Sequence, residues 1–118
     1  MKKTMMTAAG LAAALAALAL PALADGVQTG VFVNSQEDGL MKELHVCSQS
    51  SLLVEGFVRR DIDLQEVDGT TRLVLNSNGV FTFDVVDEGA ALKPADDFTR
   101  EWGTTGEYRL DPARSSDC

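Results

Sequence analysis

Residues 71–86 constrain the fold more than any other stretch of the chain. Leu73 and Leu75, then Phe81, Phe83 and Val85, recur with a period of two on either side of Asn76-Ser77-Asn78-Gly79. Side chains alternate between the faces of an extended strand, so this pattern lays one apolar row against a core and leaves Thr82 and Asp84 on the other face. Asn and Gly accept the positive φ that tight hairpin turns need. The segment therefore predicts an antiparallel hairpin. A lone hairpin cannot bury its apolar face in water, so other strands must complete a sheet around it.

The remaining sequence supplies them. Val27, Thr29, Val31 and Val33 alternate with Gln28, Gly30, Phe32 and Asn34, which predicts a strand, and Ser35–Gly39 ends in the turn pair Asp38-Gly39. Leu40–Cys47 is ambiguous: Leu40, Met41 and Leu44 suit a short helix, whereas Leu44 and Val46 suit a strand. Ser48–Ser51 breaks it in either case. Leu52-Leu53-Val54 and Phe57-Val58 form an apolar segment around Gly56, which is expected to mark a bulge. Ile62 and Leu64 alternate with Asp61, Asp63 and Gln65, a half-buried strand with an acidic outer face, and Asp68-Gly69 is a turn. Asp87–Asp97 is expected to be a longer loop. Phe98–Trp102 and Glu107–Leu110, flanking Gly103-Thr104-Thr105-Gly106, are expected to form a last hairpin. Short strands at this spacing predict a mainly β domain, a small antiparallel sandwich or barrel, with one short helix allowed near residue 40.

The first 24 residues belong to a different category. Lys2 and Lys3 precede an Ala/Leu run from about Ala8 to Leu20, Pro21 breaks it, and Ala22-Leu23-Ala24 has the small-x-small form that signal peptidase accepts. The apolar core is shorter than the roughly 20 residues of a membrane span. Residues 1–24 therefore read as a secretory signal cleaved after Ala24, with 25–118 as one small domain in the periplasm or secreted, without membrane insertion after cleavage. Removing Lys2 and Lys3 from the ten basic residues leaves eight against 18 acidic ones, a net charge near −10 on the mature chain. Such charge favours solubility and repels phosphate backbones, so nucleic acid is not an expected partner.

Cys47 and Cys118 are the two cysteines. An even count in an oxidising compartment points to a disulfide, which would close a loop of roughly 70 residues and contribute roughly 4 kcal/mol. A terminal Cys118 also admits a free thiol or a bond to another chain.

Thr71-Arg72-Leu73-Val74-Leu75-Asn76-Ser77-Asn78-Gly79-Val80-Phe81-Thr82-Phe83, followed by Glu101-Trp102 and Gly106-Glu107-Tyr108-Arg109-Leu110, resembles small secreted lipocalin-like domains. There, a hairpin with an Asn/Asp-Gly turn precedes a Trp strand and a closing Gly-x-x-x-Leu strand. The resemblance covers about 40 residues, 71–110. It implies a barrel or half-barrel that binds something, and it brings no catalytic residues.

Little else in the sequence carries chemistry. A single His rules out a His cluster, and neither zinc spacing nor a Cys-x-x-Cys pair exists. Ser48, Ser50 and Ser51 near His45 lack a nucleophile-elbow pattern. Asp61-x-Asp63-x-x-Glu66-x-Asp68-Gly69 lacks the alternate ligands of a calcium loop and reads as a solvated strand face. Asp87-Glu88 and Asp96-Asp97 are ordinary loop acids in so acidic a chain, and no cofactor motif is present. One soft-ligand set stands out. His45 and Cys47 share a strand face, while Met41 shares a helix face with His45, so the trio has copper-like donor chemistry but no single element presents all three. Trp102 and Tyr108 either line a ligand cavity or anchor a small core. The expected function is an exported, acidic, non-enzymatic accessory or binding protein for an unidentified protein or small ligand. The alternatives are a copper-handling protein using His45 with Cys47 or Met41, and an inhibitor of a secreted enzyme acting through the Asp87–Asp97 loop.

Overall fold

Tight turns with left-handed residues join the longest strands. Asp68-Gly69, with φ values of 52° and 82°, is a two-residue hairpin turn, and Glu55-Gly56, with 56° and 84°, opens the three-residue connection from β3 to β4. Asn78-Gly79 adds a third left-handed pair. The computed structural model describes residues 26–36 and 41–118. The expected signal segment, its cleavage point before Asp25 and the Asp38-Gly39 turn lie outside the described residues.

The strands are β1 (Gly30–Asn34), β2 (Glu43–Val46), β3 (Ser51–Val54), β4 (Val58–Val67), β5 (Thr70–Asn76), β6 (Val80–Val86), β7 (Ala91–Pro94) and β8 (Tyr108–Asp111). Each pairs antiparallel with the next, and β8 returns to β1, so the sheet closes as an eight-stranded barrel. Of the two architectures expected, the barrel is the one formed. The 71–86 hairpin has the expected register, with Leu73 opposite Phe83 and Leu75 opposite Phe81.

Alternation fills the barrel. Phe32, Leu44, Val46, Leu52, Leu73, Leu75, Phe83, Leu92 and Tyr108 are fully buried in one apolar cluster. Phe83 and Tyr108 meet edge-on, ring centroids 5.5 Å apart, and the Tyr108 hydroxyl donates to the carbonyl of Met41. Burial pushes the Tyr108 phenol well above its ordinary range. An eight-stranded barrel either fills its interior with side chains or holds one small ligand, and here apolar side chains occupy it.

Several local expectations are corrected. Leu40–Cys47 resolves to strand β2 within its described part, because Leu44 and Val46 alternate inward while β1 and β3 pair on either side. Gly56 is a turn residue, not a bulge, and the turn it makes carries Phe57 into solvent. Asp87–Asp97 is not a long loop. Asp87, Glu88 and Gly89 form a left-handed turn, and β7 follows with Ala91 and Leu92 buried. The expected strand Phe98–Trp102 is instead the short helix α1 (Asp97–Trp102). Asp96, in extended conformation, accepts the Thr99 N–H on its Oδ1 at 2.8 Å and starts the helix there. The Thr99 hydroxyl accepts the N–H of Thr82 on β6 at 2.8 Å, which fastens α1 beside the end of β7.

Candidate functional site

The meander sorts its connections between two ends. The β3–β4 and β5–β6 turns, Met41 and the β7–β8 connection carrying α1 lie at one end, the mouth. The β2–β3, β4–β5 and β6–β7 connections lie at the other. The large apolar side chains left exposed among the described residues are Phe57, Val80, Phe98 and Trp102, at 77, 50, 43 and 58 %. All four sit at the mouth. Single exposed apolar residues are commonplace, but here the four are segregated to one end.

At this end a cleft of about 470 Å³ opens between α1 and the β5–β6 turn, lined by Met41, Ser77, Asn78, Phe81, Phe98 and Trp102. Phe81 is the inward residue nearest the mouth on β6, and the ring of Phe98 tilts against it with centroids 5.4 Å apart. Gly79 lets the two rings approach, since a Cβ there would stand 3.0 Å from Phe98 Cζ. Phe98 and Trp102 are four apart on α1 and so share its outer face. Met41, nearly buried, supplies an adaptable thioether beneath them. The polar groups of the lining are the Ser77 hydroxyl and the Asn78 amide. An apolar, aromatic lining of this size with a few polar groups is the composition of a small-molecule site.

Of the two aromatic candidates read from sequence, Trp102 lines the cleft and Tyr108 belongs to the core. Phe98 and Asn78 were missed as site residues. The i, i+4 spacing of Phe98 and Trp102 pairs them on one face only once Asp97–Trp102 is known to be helical, and Asn78 was read only as a turn residue.

A second cluster occupies the outer face of β2. Glu43, His45 and Cys47 alternate outward there, and the chain after β8 attaches to all three. Arg114 donates two hydrogen bonds to the Glu43 carboxylate, at 2.6 and 3.1 Å. The Asp117 N–H donates to His45 Nδ1 at 3.0 Å, and Cys118 is disulfide-bonded to Cys47 with a Cα–Cα distance of 5.5 Å. Because Nδ1 accepts, Nε2 carries the proton and donates to Glu43 Oε1 at 3.1 Å. Arg114 and then His45 hold the Glu43 carboxyl below its ordinary range. His45, which this C-terminal strap contacts, belongs to an outward row that is nearly inaccessible, Val31, His45 and Leu53, adjacent across β1, β2 and β3.

The metal-ligand trio is not brought together. Met41 packs into the barrel cluster, both ring nitrogens of His45 hold hydrogen bonds, and the Cys47 sulfur is in the disulfide. Among the described residues no group of three or more His, Cys, Asp or Glu side chains is placed to hold a metal ion. The Asp87–Asp97 segment, expected to be an exposed inhibitory loop, holds the Asp87–Gly89 turn and the four-residue strand β7. No helix of the described residues is long and apolar enough to cross a membrane. Comparison with known protein families, with curated proteins and with solved structures gave no match.

Proposed function

We propose that this chain is an exported, acidic, non-enzymatic binding protein that takes a small, largely apolar ligand at the mouth of its barrel. The observation that carries the reading is the mouth cleft, where Phe98 and Trp102 remain exposed beside Phe81 and Met41 while the barrel interior is filled by side chains. A ligand therefore docks on the rim rather than inside. The resemblance of residues 71–110 to lipocalin-like domains likewise implies a barrel that binds something. The only histidine is buried and hydrogen-bonded at both nitrogens, an arrangement suited to holding a strap rather than to moving protons. Export is supported by the order of the first 24 residues and by the disulfide, which suits an oxidising compartment.

Trp102 is the single tryptophan of the chain, so its fluorescence reports on the site alone. Titration with the neutral dye N-phenyl-1-naphthylamine is expected to give saturable dye enhancement and energy transfer from Trp102 at one-to-one stoichiometry. Trp102→Ala and Phe98→Ala are each expected to weaken the enhancement about tenfold, the effect of losing one buried aromatic contact. Absence of saturation, or unchanged dye affinity in both variants, overturns the reading.

A further inference from the structure

Resting on that mouth site, we infer that its ligand is a small organic cation, an ammonium group carrying an alkyl or aryl body. None of the described residues lining the cleft is charged, so none of them would neutralise a buried anion. What the cleft offers instead are the rings of Phe81, Phe98 and Trp102, whose faces are the negative poles of their quadrupoles and attract cations.

The surroundings act in the same direction. Asp97 and Glu101 immediately precede Phe98 and Trp102 on α1 and are exposed. Glu101 has no ion-pair partner among the described residues. Arg100, the cation of this helix, is turned back onto the Pro94 carbonyl at 3.2 Å and Asp97 at 2.9 Å. Lys42, next to Met41, is exposed and is not part of the lining. The whole chain carries a net charge of −8, which concentrates cations near it and disfavours the approach of anions. A cleft of about 470 Å³ suits a small amine better than a folded partner, whose footprint would be several times wider.

The test compares three amphiphiles with the same eight-carbon tail, octyltrimethylammonium, octyl glucoside and octyl sulfate, each kept below micelle formation. Trp102 fluorescence is followed in the full-length mature protein. The cation is expected to bind about fivefold to tenfold tighter than the neutral glucoside, the scale of a cation–π contact partly shielded from water. The sulfate is expected to bind weakest. The cation's advantage should shrink when salt is raised from about 20 mM to about 300 mM, because the acidic field is screened, and it should also shrink in Glu101→Gln. Equal affinity for cation and glucoside, or a preference for the sulfate, overturns the charge inference and leaves the mouth site standing. No binding of any of the three to protein that retains its folded circular dichroism overturns both.

Discussion

Gly79 adopts φ +154°, and a Cβ there would come within 3.0 Å of the Phe98 ring, so its lack of a side chain serves both the turn and the cleft. Gly79→Val is expected to cost about 1–3 kcal/mol in a urea titration, from backbone strain and a displaced ring. Asn78→Gly, at φ 58°, should change stability by less than about 0.5 kcal/mol, since glycine accepts that conformation freely. Equal small losses would mean that the turn is misassigned. At Glu43 the prediction concerns pH. Arg114 and His45 depress its carboxyl, so the folded value lies below the unfolded one. The stabilisation is then fully present above the unfolded carboxylate value and disappears as pH falls through the folded one. Urea midpoints should drop as pH falls through and below the ordinary carboxylate range, and drop less in Glu43→Gln. Identical acid sensitivity in the two proteins would show that the Arg114 contact is open in solution.

Legibility differed sharply among elements, for reasons of range. The β5–β6 hairpin could be read residue by residue because its alternation, turn and partner strand are contiguous. Helix α1 could not, because Phe98, Thr99 and Trp102 are strand-favouring by propensity and six residues are too few to show a helical period. What makes it helical is the Asp96 cap and the anchoring of Thr99 to β6, a contact 17 residues distant. β7 was lost for a related reason, since four residues ending in Pro94 resemble loop until β6 pairs with them. If the cap holds α1 in place, Asp96→Ala should cost about 1 kcal/mol. It should also red-shift Trp102 emission and weaken dye binding, because the helix presents both aromatic residues. A stability loss with unchanged emission and affinity would detach the cap from the site.

On the scale of the whole molecule, the barrel closes through β1 and β8, the final residues cross outside that seam, and the mouth stays open at the far end of the connections. The Cys47–Cys118 pairing was readable from cysteine arithmetic. The remainder of the strap was not, because Glu43–Arg114 and His45–Asp117 join residues 71 and 72 apart and leave no local mark. A domain as small as residues 26–118 has a modest core, so a covalent closure of this span matters. Protein recovered after export should begin at Asp25, contain no reactive thiol and migrate as a monomer without reductant. Cys118→Ser should lower stability by about 2–5 kcal/mol, the usual consequence of losing a disulfide from a small secreted domain. It should also raise the hydrogen-exchange rate at Asp117, whose N–H is held on His45 only while the strap is seated. The cleft between α1 and the β5–β6 turn is lined by none of the strap residues, so dye affinity in folded Cys118→Ser should match the wild type. An intact Met1 form in the membrane fraction would refute cleavage. A reducible dimer that disappears in Cys118→Ser with little loss of stability would make the tail a link between chains, and His45 would then be covered by something other than its own strap.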